Sequence, residues 1–167
     1  MTDFAIRPLS EDEVEELGIL AHEIWHTHYP GIINREQIDF MLGQRYSPTA
    51  IRASMPGQSW DAAWVENRMV GFAHSFADGA ATTWKLDKLY VHPEHQRKSI
   101  GQALLMQAIK HAINAGATRL ILRVNKHNAV ALAAYAKYGF RIYGEHVLDI
   151  GNGFVMDDYL LELKLCS

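Results

Sequence analysis

The segment Tyr90–Leu105 constrains this chain more than any other. It reads Tyr-Val-His-Pro-Glu-His-Gln-Arg-Lys-Ser-Ile-Gly-Gln-Ala-Leu-Leu. A β-rich run ends at Pro93, a short basic turn follows, and an apolar-striped helix begins at once. The first backbone N–H groups of such a helix have no intrahelical acceptor, so the turn points several donors at one spot. Arg97 and Lys98 add positive charge there, and Gly101 permits close backbone approach. Local physics leaves two readings open: a cradle for a phosphate or pyrophosphate, or an ordinary connection with two solvated bases.

The flanking sequence supplies a strand-and-helix alternation. Phe4–Leu9 is a short first strand, and Ser10 with Glu13 makes a capping box for a helix from Glu11 to His26. Leu17, Leu20, Ala21 and Ile24 give that helix its apolar face, and Pro30-Gly31 breaks it. Arg35–Gln44 forms a second helix, and the stretch from Tyr46 to Gly57 reads as loop with a helical turn. Trp60–Glu66 and Met69–Phe76 are strands joined by a tight hairpin at Asn67-Arg68, and Trp84–Val91 is the next strand. Leu86 is out of phase with Leu89 and Val91, so all three reach one core only if a bulge lies at Asp87 or Lys88.

The helix after the basic turn runs to Gly116, and Thr118–Val124 follows as a central strand. Asn128–Tyr138 is the last helix. Phe140–Leu148 and Phe154–Leu165 close the chain as strands around Gly151-Asn152-Gly153. No repeat or linker interrupts this order, so residues 1–167 read as one α/β domain, a mixed sheet covered by helices.

Composition excludes several classes. The longest apolar stretches fall far short of the roughly 20 residues that span a bilayer. Asp3 precedes any apolar run, which argues against a secretory signal. Cys166 is the only cysteine, so no intrachain disulfide forms and a cytoplasmic setting is expected. The net charge of −3 argues against a nucleic-acid binder led by a basic surface.

A second cluster comprises Asn125, Asn128, Ala131, Tyr135 and Gly139-Phe140. Asn128 is placed to cap its helix, and helical spacing puts the Tyr135 phenol on the same side. On local grounds the favoured reading is Asn128 as a plain cap and Tyr135 as a packed amphipathic side chain.

Taken together, the two clusters resemble the GCN5-related N-acetyltransferases (GNAT family), over almost the whole chain. The resemblance rests on Leu89-Tyr90-Val91, His92-Pro93-Glu94, Gln96-x-x-Ser99-x-Gly101 with Ala103-Leu104-Leu105, and then Asn128, Ala131, Tyr135 and Gly139-Phe140. Gly144-Glu145-His146, Gly151, Asp157 to Leu165 and the early run from Trp25 to Leu42 further resemble the PaiA-like, polyamine-acetylating branch.

The resemblance implies a mostly antiparallel sheet with a bulged central strand, and acetyl-CoA as donor. Leu89, Tyr90 and Val91 would pair with the pantetheine arm through their backbones. Gln96, Arg97, Lys98, Ser99, Ile100 and Gly101 would hold the pyrophosphate, and Asn128 would help place the cofactor. Tyr135 would contact the cofactor and donate a proton to the departing CoA thiolate. A neutral primary amine, from a small molecule or a peptide, would attack the thioester directly in a ternary complex. The resemblance also suggests a homodimer supported by the final strand. No nucleic-acid or membrane partner is expected.

Ser99 departs from the family pattern, which has glycine there. At positive φ a serine is unfavourable; at negative φ it fits and its hydroxyl can reach a phosphate. Asp87, beside the expected bulge, is the first candidate for the base, with Glu94, His26, His28 and His74 as alternatives. Trp25, Tyr29, Tyr46 and Trp84 either line an acceptor cleft or fill the seam between early helices and sheet; Trp25, Tyr29 and Trp84 are the substrate-binding candidates. His22, His26 and His28 are not read as a zinc signature, and the transfer chemistry requires no metal. An idle acetyl-CoA sensor is the alternative to an enzyme.

Overall fold

The computed structural model describes residues 3–80 and 82–165; Cys166 lies outside them. Seven strands form one sheet: β1 (Ala5–Pro8), β2 (Ser59–Val65), β3 (Arg68–Ala77), β4 (Thr83–Val91), β5 (Arg119–Asn125), β6 (Arg141–Gly151) and β7 (Phe154–Lys164). Their order is β1-β2-β3-β4-β5-β7-β6. Only β4 and β5 run parallel; every other neighbouring pair is antiparallel. The five helices are α1 (Val14–His28), α2 (Arg35–Arg45), α3 (Pro48–Ala53), α4 (Ile100–Asn114) and α5 (Ala129–Lys137).

Two cores flank the sheet. Helices α1, α2 and α3 bury Leu17, Trp25, Met41 and Ile51 against Trp60, Phe72 and Tyr90. Helix α4 buries Leu104, Leu105 and Ala108 against Val70, Trp84, Leu86 and Leu120, with α5 joining through Ala131, Leu132 and Tyr135. The apolar faces expected from period-2 and period-3.6 spacing thus meet as two helix-on-sheet layers.

The bulge lies where the phase argument put it. Register passes from His74↔Lys88 directly to Ser75↔Leu86, leaving Asp87 as the extra residue. Leu86, Leu89 and Val91 therefore share the α4 core, while Lys88 is buried against Trp60 and Tyr46 on the other face. The bulge has a second consequence. Strand β4 pairs with β5 only at Thr83↔Arg119, Trp84↔Leu120 and Lys85↔Ile121. Beyond Lys85 the two strands diverge: β4 stays with β3 as far as Val91, and β5 stays with β7 as far as Asn125. A bulge adds local twist, and this one begins where the pairing stops.

Several expectations need correction. The hairpin turns at Glu66-Asn67, both at positive φ (49° and 67°), one residue earlier than Asn67-Arg68. The stretch after Tyr46 contains a six-residue helix, α3, whose cap Ser47 accepts from the Ala50 N–H at 3.2 Å. A single 3-10 turn (Glu11–Glu13) precedes α1, with the Ser10 N–H donating to Glu13 Oε1 at 3.0 Å. Trp84 sits in the core beneath α4 and not in an acceptor cleft, because it belongs to the paired half of β4. The final strand β7 is flanked on both sides by β5 and β6, so its backbone edges are already used and the free edge belongs to β6. Among the described residues, no helix is long and apolar enough to cross a membrane.

Candidate active site

The divergence of β4 and β5 opens a cavity of about 360 Å³. Trp25 of α1, Tyr29 just past the end of α1, Arg45 of α2, Asp87, Leu89 and Tyr90 of β4, and Asn125 of β5 line it. Asn128, the cap of α5, Tyr135 of α5 and Asp158 of β7 also line it. Leu89, Tyr90 and Val91 have strand β3 on one side and no strand partner on the other. Their free backbone edge offers an extended ligand the hydrogen bonds that β5 does not take.

The turn Gln96–Gly101 lies beyond the end of this edge. Arg97 and Ser99 both have left-handed backbone, at φ 61° and 68°. Successive N–H groups in such a turn form a concave nest for an anion. Ser99 occupies the cap position of α4 yet makes no side-chain cap bond. Caps on three other helices do bond: Asn34 to the Gln37 N–H, Ser47 to the Ala50 N–H and Asn128 to the Ala131 N–H. Helix α4 therefore keeps its leading donors free, beside Arg97 and Lys98, which suits a pyrophosphate. The Gln96 side chain braces the turn by donating to the Val91 carbonyl at 3.1 Å. At Gly101 a Cβ would meet Val91 Cγ2 at an ordinary 3.7 Å, so the protein's own packing does not require glycine there.

Asp87 is unsuited to accept a proton. Burial alone raises its pKa, but the charges of Lys88 and Arg45 hold the carboxyl far below the usual carboxylate range. Lys88 Nζ lies 2.6 Å from Oδ2 and Arg45 donates to Oδ1 at 3.3 Å. Asp87 is the hub that ties the bulge to α2. Lys88 also donates to His74 Nδ1 at 3.3 Å, so the His74 hydrogen sits on Nε2, 2.6 Å from Gln58 Oε1. His74 is neutral in this arrangement, and burial pulls its pKa below the ordinary 6.5.

Asp158 contrasts with Asp87. It is 3% exposed, it lines the cavity, and its buried Oδ1 has no hydrogen-bond partner among the described residues. Desolvation raises its pKa against the opposing charges of Arg123 and Arg45. Tyr135 also lines the cavity, with its ring edge-on to Phe140 at 5.3 Å, and burial raises its phenol above the ordinary value. Tyr29 and Tyr90, which also line the cavity, share a 2.8 Å hydrogen bond. Sequence reasoning missed Arg45 and Asp158 as wall residues. Glu94 is exposed at the turn and does not line the cavity; nor do His26, His28 and His74.

Residues 20–140 match the model of the Acetyltransferase (GNAT) family. The chain belongs to this family. It is an acetyl-CoA-dependent acetyltransferase.

Among relatives of this GNAT chain is the spermidine N(1)-acetyltransferase of Thermoplasma acidophilum. It is 28% identical over 158 residues, covering 91% of this chain and 94% of that protein. The crystal structure of the PaiA N-acetyltransferase from the same organism, in complex with coenzyme A, superimposes with a TM-score of 0.84 at 27% identity, covering 98% and 99% of the two chains. A GCN5-related N-acetyltransferase from Rhodopseudomonas palustris shares the fold at a TM-score of 0.83 and 20% identity, covering 99% of this chain and 98% of that one.

Proposed function

We propose that this enzyme acetylates a primary amino group of a small aliphatic amine, with polyamines as the leading class. The observation that carries the proposal is Asp158, a buried carboxyl with an unpartnered oxygen in a cavity walled by Trp25 and Tyr29. Aromatic faces and a carboxylate together favour an organic ammonium. The spermidine acetyltransferase relative supports the same acceptor class.

When bound, acetyl-CoA supplies a thioester carbonyl for direct attack by the amine. Leu89, Tyr90 and Val91 hold the extended arm through backbone groups. Residues Gln96 to Gly101 receive the pyrophosphate at the uncapped start of α4, and Asn128 positions the cofactor from the start of α5. A backbone N–H of Leu89 or Tyr90 supports the developing oxyanion.

An aliphatic amine with a pKa of about 10 arrives protonated at neutral pH. Asp158 takes that proton: its raised pKa brings it closer to neutrality and makes it a stronger base than Asp87. The Tyr135 phenol, held protonated by burial, gives a proton to the departing thiolate. The nitrogen loses two protons between ammonium and amide: the first goes to Asp158 and the second, shed from the tetrahedral adduct, passes to solvent, from which Tyr135 recovers the proton it gives the thiolate, so one proton is released overall.

The test is release of CoA thiol from acetyl-CoA across polyamines, amino acids, aminoglycosides and peptide N-termini. Selective turnover of polyamines or other small aliphatic amines is expected. Preference for peptide N-termini, or acetyl-CoA binding without release that depends on any amine, would overturn the acceptor assignment.

A further inference from the structure

We propose that His22 and His26 of α1 and Asp39 of α2 form a binding site for one zinc ion on the outer surface of the α1–α2 pair, outside the acetyl-transfer cavity. Their ligand atoms all lie within 4.8 Å of one another. Two donors held about 2.0–2.2 Å from one zinc ion stand about 3–4 Å apart, so small side-chain rotations close the site. His22 and Asp39 are exposed and free to make them.

The hydrogen bonding of His26 is the decisive detail. Its Nδ1 lies 2.9 Å from the backbone carbonyl of His22, which only accepts, so Nδ1 carries the hydrogen. Its Nε2 lies 2.8 Å from Asp39 Oδ1. The Nε2 atom and the carboxylate oxygen thus already converge on one point between the two helices. A carbonyl accepting from the remote ring nitrogen is also the usual outer support of a metal-ligating histidine, fixing tautomer and ring direction. His22 lies one helical turn earlier, its ring stacked on His26 with centroids 4.2 Å apart.

Two imidazoles and one carboxylate suit zinc, with water in the fourth position. His22-Glu23-Ile24-Trp25-His26 has the H-E-x-x-H spacing that places two histidines on one helix face. Glu23, the residue which in hydrolases of that pattern serves as base, is paired here with His92 at 3.3 Å. The site therefore binds the ion without a hydrolytic role. Its position gives it a mechanical one. Trp25 of α1, Tyr29 at its C-terminal cap, and Met41 and Arg45 of α2 line the acceptor cavity, and zinc would pin these two helices together.

The experiment is zinc titration of the metal-stripped protein by calorimetry, paired with thermal melts. One zinc per chain is expected, with a rise in melting temperature by linkage. His22→Ala and Asp39→Asn should each weaken binding by about 10-fold or more, while His127→Ala, at an exposed residue outside the cluster, binds as the native chain does. His22 takes no part in the His26–Asp39 ion pair, so His22→Ala separates lost metal binding from lost helix contact. Failure of the native chain to bind zinc, or equal binding by the His22→Ala/Asp39→Asn double variant, would overturn the proposal.

Discussion

Ser99 holds a backbone conformation that serine rarely adopts, at φ 68° and ψ 7°. Its Cβ makes that conformation costly, and its hydroxyl is turned out of the capping role a serine normally fills. Ser99→Gly removes the strain, partly offset by the greater freedom of glycine in the unfolded chain. A gain of about 0.5–1 kcal/mol in denaturant unfolding is expected, with acetyl-CoA affinity by calorimetry retained or tightened. Tyr135→Phe keeps the ring and its contact with Phe140 while deleting the proton donor. Its kcat is expected to fall about 100-fold with unchanged affinity for acetyl-CoA; an unchanged kcat would remove Tyr135 from the proton path. Asp158→Asn should lower turnover similarly. The folded-state pKa of Asp158 is raised, so the unfolded chain ionises first as pH climbs and the folded state loses stability. The asparagine variant is therefore expected to melt higher than the native chain at neutral pH while turning over more slowly.

At the scale of elements, the bulge in β4 does two jobs. It brings Leu86, Leu89 and Val91 to one core, and it accompanies the separation from β5 that opens the cavity. Asp87 holds this arrangement by joining Lys88 of β4 to Arg45 of α2. Asp87→Asn leaves a buried ammonium without its counter-charge, so a loss of about 3 kcal/mol in unfolding free energy is expected. Loss of activity without loss of stability would instead restore Asp87 as the base. The bulge was legible in the sequence because two apolar phases cannot otherwise share a face. Asp87 as base followed from the same position, but its partners Arg45 and His74 come from distant elements that sequence spacing does not align. Trp84 failed as a cleft residue for a related reason: its strand was recognised, but where that strand parts from β5 was not.

At the scale of the molecule, acid should loosen the α1 side of the sheet. His74 is buried neutral, with its folded-state pKa below the ordinary 6.5. Its contribution is complete above that value and is lost as pH falls through the folded pKa, because the unfolded chain takes the proton first. The melting temperature is expected to fall between about pH 7 and about pH 5, less steeply in His74→Gln; equal slopes would show that His74 does not titrate on unfolding. The carboxylate of Asp87 adds stability that is lost only below its ordinary 3.8.

The sequence by itself determined the alternation of strands and helices, the bulge, the basic turn and the Asn128–Tyr135 cluster. Each depends on spacing within one segment: a period of two, a period of 3.6, or a cap three residues from its partner. Tertiary structure decided what those segments enclose. Asp158 was invisible beforehand because an aspartate in a final strand looks solvated until β7 is inserted between β5 and β6 and its carboxyl is carried into the cavity wall. Asp39 beside His26 and Arg45 beside Asp87 are pairings of the same kind, set by helix packing and not by local propensity. Even at Ser99, where the residue was singled out, the sequence posed the question of φ and only the fold supplied its sign.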